Sequence, residues 1–232
     1  VWTAEQQPGG TLPNSGPVEL DLTRNPIIPV VVIRDARRSR LLGEALVTGG
    51  IPVAEVTFRT VAAPDAIRAM SAVPGLLVGA GTVVDATQVD RAVEAGARFI
   101  VSPGFSPAVV RRAQLHGLPV FPGAVTPTEI MAALDLGLTT LKFFPASVYG
   151  GIAGLKALGA PFPHVRFIPT GGVSVDNLAD YLALPNVAAV GGSWMVPQAA
   201  IESGDTATIV RLSAQAAAVA ARFRPHPPTA TP

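Results

Sequence analysis

The chain has 232 residues, of which 49% are hydrophobic and only 14% charged, with no cysteine and a net charge of +1 at pH 7. That length suits one sizeable core and is near that of a single α/β barrel. The lack of cysteine excludes disulfides, thiolate catalysis and cysteine-ligated zinc, and the near-neutral charge without a long basic run argues against nucleic acid as a partner.

In chain order, the first sixteen residues, "VWTAEQQPGGTLPNSG", read as a disordered tail. They contain no basic start followed by an apolar stretch, so no signal peptide is read from them and a cytoplasmic location is expected. Residues 17–25 are expected to form a short helix over the closed end of a barrel. Eight β-branched or apolar runs follow as strand candidates: "IIPVVVI" (27–33), "VAEVTF" (53–58), "LLVGAG" (76–81), "RFIVSP" (98–103), "LPVFPG" (118–123), "TLKFFP" (140–145), "VRFIPTG" (165–171) and "VAAVGG" (187–192). None approaches the ~18–20 apolar residues needed to cross a bilayer, so no membrane partner is expected.

Helical character lies between the strands. "RRSRLLGEALVTGG" (37–50) ends in glycines, and in "ATQVDRAVEAGA" (86–97) Gly96 suits a C-terminal cap. "TPTEIMAALDLG" (126–137) opens with Thr126, Pro127 and Glu129, the pattern of a capping box with proline in the first turn. A last helix is expected over about 205–222, and the Pro-rich 223–232 reads as a tail. Eight strands, each with room for a helix, predict a single-domain (β/α)8 TIM barrel over 17–222. An open doubly wound sheet gives similar spacing. The count of eight favours closure, as does "IRDARRSR" (33–40) standing where a Gly-x-Gly-x-x-Gly turn would follow the first strand.

In such a barrel the chemistry sits at the carboxyl ends of the strands. Read together, those ends carry Arg34; Glu55, Thr57 and Arg59; Gly81 and Thr82; Ser102 and Pro103; Lys142; "PTGG" (169–172); and "GGS" (191–193). Alternation puts Glu55, Thr57 and Arg59 on one face and Ala54, Val56 and Phe58 on the other, so the polar set faces inward. The same rule puts Lys142 and Phe144 on one face of the sixth strand.

Lys142 and Lys156 are the only lysines among 17 lysines and arginines. An ammonium between Leu141, Phe143 and Phe144 is costly to desolvate without a partner, and an inward Glu55 can supply one. Arginine stays charged, whereas lysine can act as a neutral nucleophile and form a Schiff base with a carbonyl substrate. A purely structural Lys142–Glu55 ion pair accounts for the residue types equally well. At the seventh and eighth strand ends, Thr170, Gly171, Gly172, Gly192 and Ser193, with Arg34 from the neighbouring first strand, suit a phosphate site built on backbone N–H groups. His116, His164 and His226 lack the close spacing of common metal motifs, so no metal is expected.

Seven stretches in order, "EVTFRT" (55–60), "GAGTV" (79–83), "SPG" (102–104), "PGAVTPTE" (122–129), "LKFFPA" (141–146), "PTGGV" (169–173) and "GGSWMVP" (191–197), carry a family resemblance. Over about residues 26–222 the chain resembles the class I aldolases that cleave 2-keto-3-deoxy-6-phosphogluconate (KDPG) and also act on 4-hydroxy-2-oxoglutarate (KHG). The resemblance implies a Schiff-base lysine at Lys142 and a general acid/base at Glu55. It places Arg59, Thr82, Pro103 and Phe144 around the pyruvyl part of a 2-keto acid, and Thr170, Gly171, Gly172, Gly192 and Ser193 at its phosphate end. It further implies release of pyruvate and glyceraldehyde 3-phosphate in the Entner–Doudoroff pathway, no metal or organic cofactor, and a homotrimer. Ser147 stands where many relatives carry an acidic residue. The rival readings are the same chemistry on KHG or on 2-keto-3-deoxy-6-phosphogalactonate, a metal-dependent aldolase, and a sugar-phosphate-binding barrel without turnover.

Overall fold

The computed structural model describes residues 26–223. The expected tail 1–16, the expected helix 17–25 and residues 224–232 of the Pro-rich tail lie outside them. All eight strand candidates are strands: β1 (Ile27–Val31), β2 (Val53–Thr57), β3 (Leu77–Gly81), β4 (Ile100–Val101), β5 (Val120–Phe121), β6 (Thr140–Phe143), β7 (Arg166–Pro169) and β8 (Val190–Gly192). β4 and β5 are shorter than the sequence suggests. Prolines 103, 119 and 122 flank them, and proline has no N–H with which to extend a ladder.

The helices α1 (Ser39–Thr48), α2 (Ala63–Ser71), α3 (Ala86–Glu94), α4 (Pro107–Leu115), α5 (Pro127–Leu134), α6 (Gly151–Gly159), α7 (Leu178–Leu182) and α9 (Thr206–Ala221) connect or follow the strands. A 3-10 turn, Ala36–Arg38, precedes α1, and a short α8 (Gln198–Ser203), which no periodicity announced, precedes α9. Gly96 takes the left-handed conformation after α3, at φ 96°. Thr126 and Glu129 form the expected capping box at the start of α5, with the Thr126 N–H donating to Glu129 Oε2 at 2.9 Å.

Every strand pair is parallel. Six strands lie in the order β5-β4-β3-β2-β1-β8, so the last strand pairs with the first and the sheet curls, and β6 and β7 pair with each other. Isolated parallel bridges join Gly123 to Lys142, Phe167 to Val187 and Thr170 to Gly191. β1 and β2 are buried at every residue, as expected for strands covered on both faces. Between sheet and helices, Phe143 packs edge-on to Phe167 with ring centroids 6.0 Å apart, while Lys142 beside it in sequence faces the other way.

The Thr126 cap gives a direct stability test. Thr126→Ala removes a side-chain acceptor at the start of α5 and is expected to cost about 1 kcal/mol. The urea midpoint should fall at unchanged slope; an unshifted midpoint would contradict the cap's contribution.

Candidate active site

β2 and β6 bring a carboxylate and an amine together across 87 positions of sequence: Lys142 Nζ donates to Glu55 Oε1 at 3.1 Å. The side chains are 5% and 3% exposed. Register explains the meeting. Glu55 pairs with Gly79 of β3, and Lys142 with Ile168 of β7, so both residues occupy inward positions of their strands. Lys142 Nζ also lies 5.1 Å from the centroid of the Phe144 ring, a cation–π contact for the ammonium form.

Room for the carboxylate comes from glycine. A Cβ on Gly81 would overlap Glu55 Oε1 and its Cγ, so any larger residue there displaces the acid. Next in the chain, Thr82 has φ 55°, the only non-glycine among the described residues in the left-handed region. Such a conformation costs about 1–3 kcal/mol and persists only where the surroundings hold it.

Above Lys142 opens a cavity of about 240 Å3. Arg59, Lys142, Phe144, Thr170, Gly171, Gly172, Gly192 and Ser193 line it. Gly171 and Gly172 have φ 91° and 79°, which glycine alone adopts freely. The loop is held by Asn177, whose Nδ2 donates to Gly172 O at 3.0 Å and whose Oδ1 accepts from Ser174 N at 2.9 Å. A Cβ on Gly172 would strike Ser147, and one on Gly191 would strike Thr170 Oγ1. Arg59 is exposed at the rim, and no carboxylate of the described residues pairs with it.

The remaining sequence candidates lie elsewhere. Thr82 and Pro103 end their strands next to the site without lining the cavity, and the Pro103 carbonyl packs against Gly123, where no side chain fits. Arg34 is not brought to the glycine loops. β1 ends at Val31, and Arg34 turns to pair with Glu202 of α8 at 2.7 Å, in a separate groove with Asp35 and Gln198. The Gln198 amide and the Arg34 guanidinium hold the Glu202 carboxyl below the usual range. Two lining residues escaped the sequence reading, Val30 and Val173. Val30 pairs in register with Glu55, but in the uniformly apolar "IIPVVVI" no alternation marks its face.

A family model described as KDPG and KHG aldolase matches residues 18–212. The chain belongs to the KDPG and KHG aldolase family. A 2-dehydro-3-deoxy-phosphogluconate aldolase of Treponema pallidum (strain Nichols) is 48% identical to it over 195 residues, 84% of this chain and 93% of the relative. Among solved structures, a Zymomonas mobilis ZM4 2-keto-3-deoxy-6-phosphogluconate aldolase, crystallised with 3-phosphoglycerate, is 43% identical with a TM-score of 0.80. The match covers 85% of this chain and 94% of that one. A Legionella pneumophila KDPG aldolase, with pyruvate captured as a covalent carbinolamine intermediate, is also 43% identical at TM-score 0.80, covering 83% and 94% of the two chains. The residues of this family member that meet at the cavity are thus the ones to test.

Gly81→Ala should push the Glu55 carboxylate off Lys142 and cost about 1–3 kcal/mol by overpacking. A crystal structure of the variant with the 3.1 Å contact intact would contradict the role given to Gly81.

Proposed function

We propose that this aldolase cleaves KDPG reversibly to pyruvate and glyceraldehyde 3-phosphate through a Schiff base on Lys142. The observation that carries the proposal is the buried Lys142 Nζ–Glu55 Oε1 contact, with Lys142 lining a cavity that glycine-rich strand ends also line. The captured pyruvate adduct of the Legionella relative supports the covalent chemistry.

The steps follow from the donor set. With its proton passed on, the Lys142 amine adds to the C2 carbonyl of the 2-keto acid, giving a carbinolamine that loses water to an iminium. Glu55, directly or through a water, takes the proton of the C4 hydroxyl. The C3–C4 bond breaks, its electron pair flows into the iminium, and the aldehyde leaves. The resulting enamine takes a proton at C3, and hydrolysis returns pyruvate and free Lys142. A structural ion pair alone would not need an opening onto a cavity.

Arg59 at the rim holds the substrate carboxylate with a planar two-pronged donor, next to the Phe144 ring. Thr82 and Pro103 back the pyruvyl end from the ends of β3 and β4. The N–H groups of Gly171 and Gly172, with Thr170, Gly192 and Ser193, receive the phosphate. KHG is a second substrate of the same chemistry, as the family description covers both acids. It ends in a carboxylate one carbon beyond the C4 hydroxyl, in place of the longer phosphate-bearing end.

The wider reading belongs to this proposal. The sheet is a closed eight-stranded barrel in one domain, supported by the β1–β8 pairing and by the three isolated bridges that join β6 and β7 to their neighbours. The protein works in the cytoplasm and as a homotrimer, the latter a reading that rests on the family resemblance. No helix of the described residues is long and apolar enough to cross a membrane. The chemistry as written needs no metal or organic cofactor, so EDTA should leave turnover unchanged.

Steady-state cleavage of KDPG tests the roles. Lys142→Ala should abolish turnover, and Glu55→Gln should lower kcat about 10²–10⁴-fold. Ser193→Ala should raise KM for KDPG more than KM for KHG, whose shorter end carries no phosphate. Near-normal cleavage by Lys142→Ala would overturn the assignment.

A further inference from the structure

The second lysine lies at the opposite end of the sheet. Lys156, in the last turn of α6, lines a cavity of about 510 Å3, against about 240 Å3 for the one above Lys142. Its other walls are the connection from α6 into β7, with His164 and Arg166, and the connection from α7 into β8, with Asn186. These segments lead into the strands, whereas the active-site loops lead out of them. Along β7, Arg166 is the first residue and pairs with Thr140, two positions before the Lys142–Ile168 pair.

Three basic side chains line this cavity and no carboxylate does. Lys156, His164 and Arg166 are all exposed, and none forms an ion pair with a carboxylate of the described residues. A lysine near a helix C-terminus is ordinarily explained by the helix dipole, and surface arginines by solubility. Those explanations do not require a concave arrangement or fixed walls. Arg166 is held by its Nη2, which donates to Val187 O at 3.2 Å, and its other guanidinium donors have no partner among the described residues. The Asn186 amide is held by Leu155 O at 2.8 Å. Buried Val165 and Leu184 add apolar surface. A volume of this size, apolar in part with a few convergent polar groups, is that of a small-molecule site.

We infer that this cavity is a second binding site, for a small multiply charged anion, either a phosphate compound or a polycarboxylate. Arg166 presents the two-pronged donor that matches either group, and Lys156 and His164 complete the positive rim. The site goes beyond the aldol reaction, since none of its residues touches the catalytic cavity.

With only two lysines in the chain, one of them buried, acetylation reads the site at a single residue. The full chain is treated with acetic anhydride, and Lys156 modification is followed by peptide mapping with inorganic pyrophosphate or citrate as probe. Sodium chloride at matched ionic strength serves as the control. A probe at about ten times its Kd leaves about one-tenth of the sites free and should slow acetylation of Lys156 about tenfold. Arg166→Gln and, separately, His164→Gln should each reduce the protection while KDPG cleavage continues. Protection by pyrophosphate alone identifies a phosphate site, and protection by citrate alone a polycarboxylate site. Absence of protection by both, equal protection by chloride, or full protection in both variants would overturn the inference.

Discussion

A lysine and a glutamate, each about one-twentieth exposed or less, share one hydrogen bond inside a sheet of largely apolar strands, and the organisation of the site follows from that contact. A buried charge without a partner is costly, and removing one member of such a pair typically costs about 3–5 kcal/mol. β2 must therefore present Glu55, and β6 Lys142, to the same interior. A slip of one residue in either strand would turn the charged group toward the helices, where Val56 and Phe143 now pack. The pair thus fixes register as well as supplying the groups proposed to react.

Around the pair, space is made by omission of side chains. Gly81 leaves room for the Glu55 carboxylate, Gly191 for Thr170 and Gly172 for Ser147. Gly171, Gly172 and Gly192 line the same cavity, where the proposed chemistry has an anionic substrate group approach the backbone. Small residues at the strand ends thereby serve two needs, positioning of the acid and approach of the ligand. The adjacent Thr82, in a conformation that favours glycine, shows how tightly the end of β3 is held.

Much of this was legible in the sequence because a polar residue inside an apolar strand declares its face. Glu55 stands between Ala54 and Val56, and Lys142 between Leu141 and Phe143, so alternation sufficed to bring them to one interior. Turn chemistry was equally readable at Thr126 and Gly96. Arg34 was not readable, because its position depends on how the chain leaves β1. The capping of the 3-10 turn by Asp35 and the presence of α8, with Glu202, draw it sideways. Val30 was hidden by a run with no polar residue to mark its face, and the basic cavity by the distance in sequence between Lys156, Arg166 and Asn186. Local pattern fixes faces and caps; which connections converge is decided by the curling of the sheet.

The account depends most on Lys142 being the residue that joins the substrate. Incubation with pyruvate and sodium borohydride, followed by intact-mass analysis and peptide mapping, tests this directly, since the chain offers only Lys142 and Lys156 as lysines. The account predicts a single reduced pyruvyl adduct on Lys142. No adduct on folded protein, or an adduct on Lys156 instead, would contradict it.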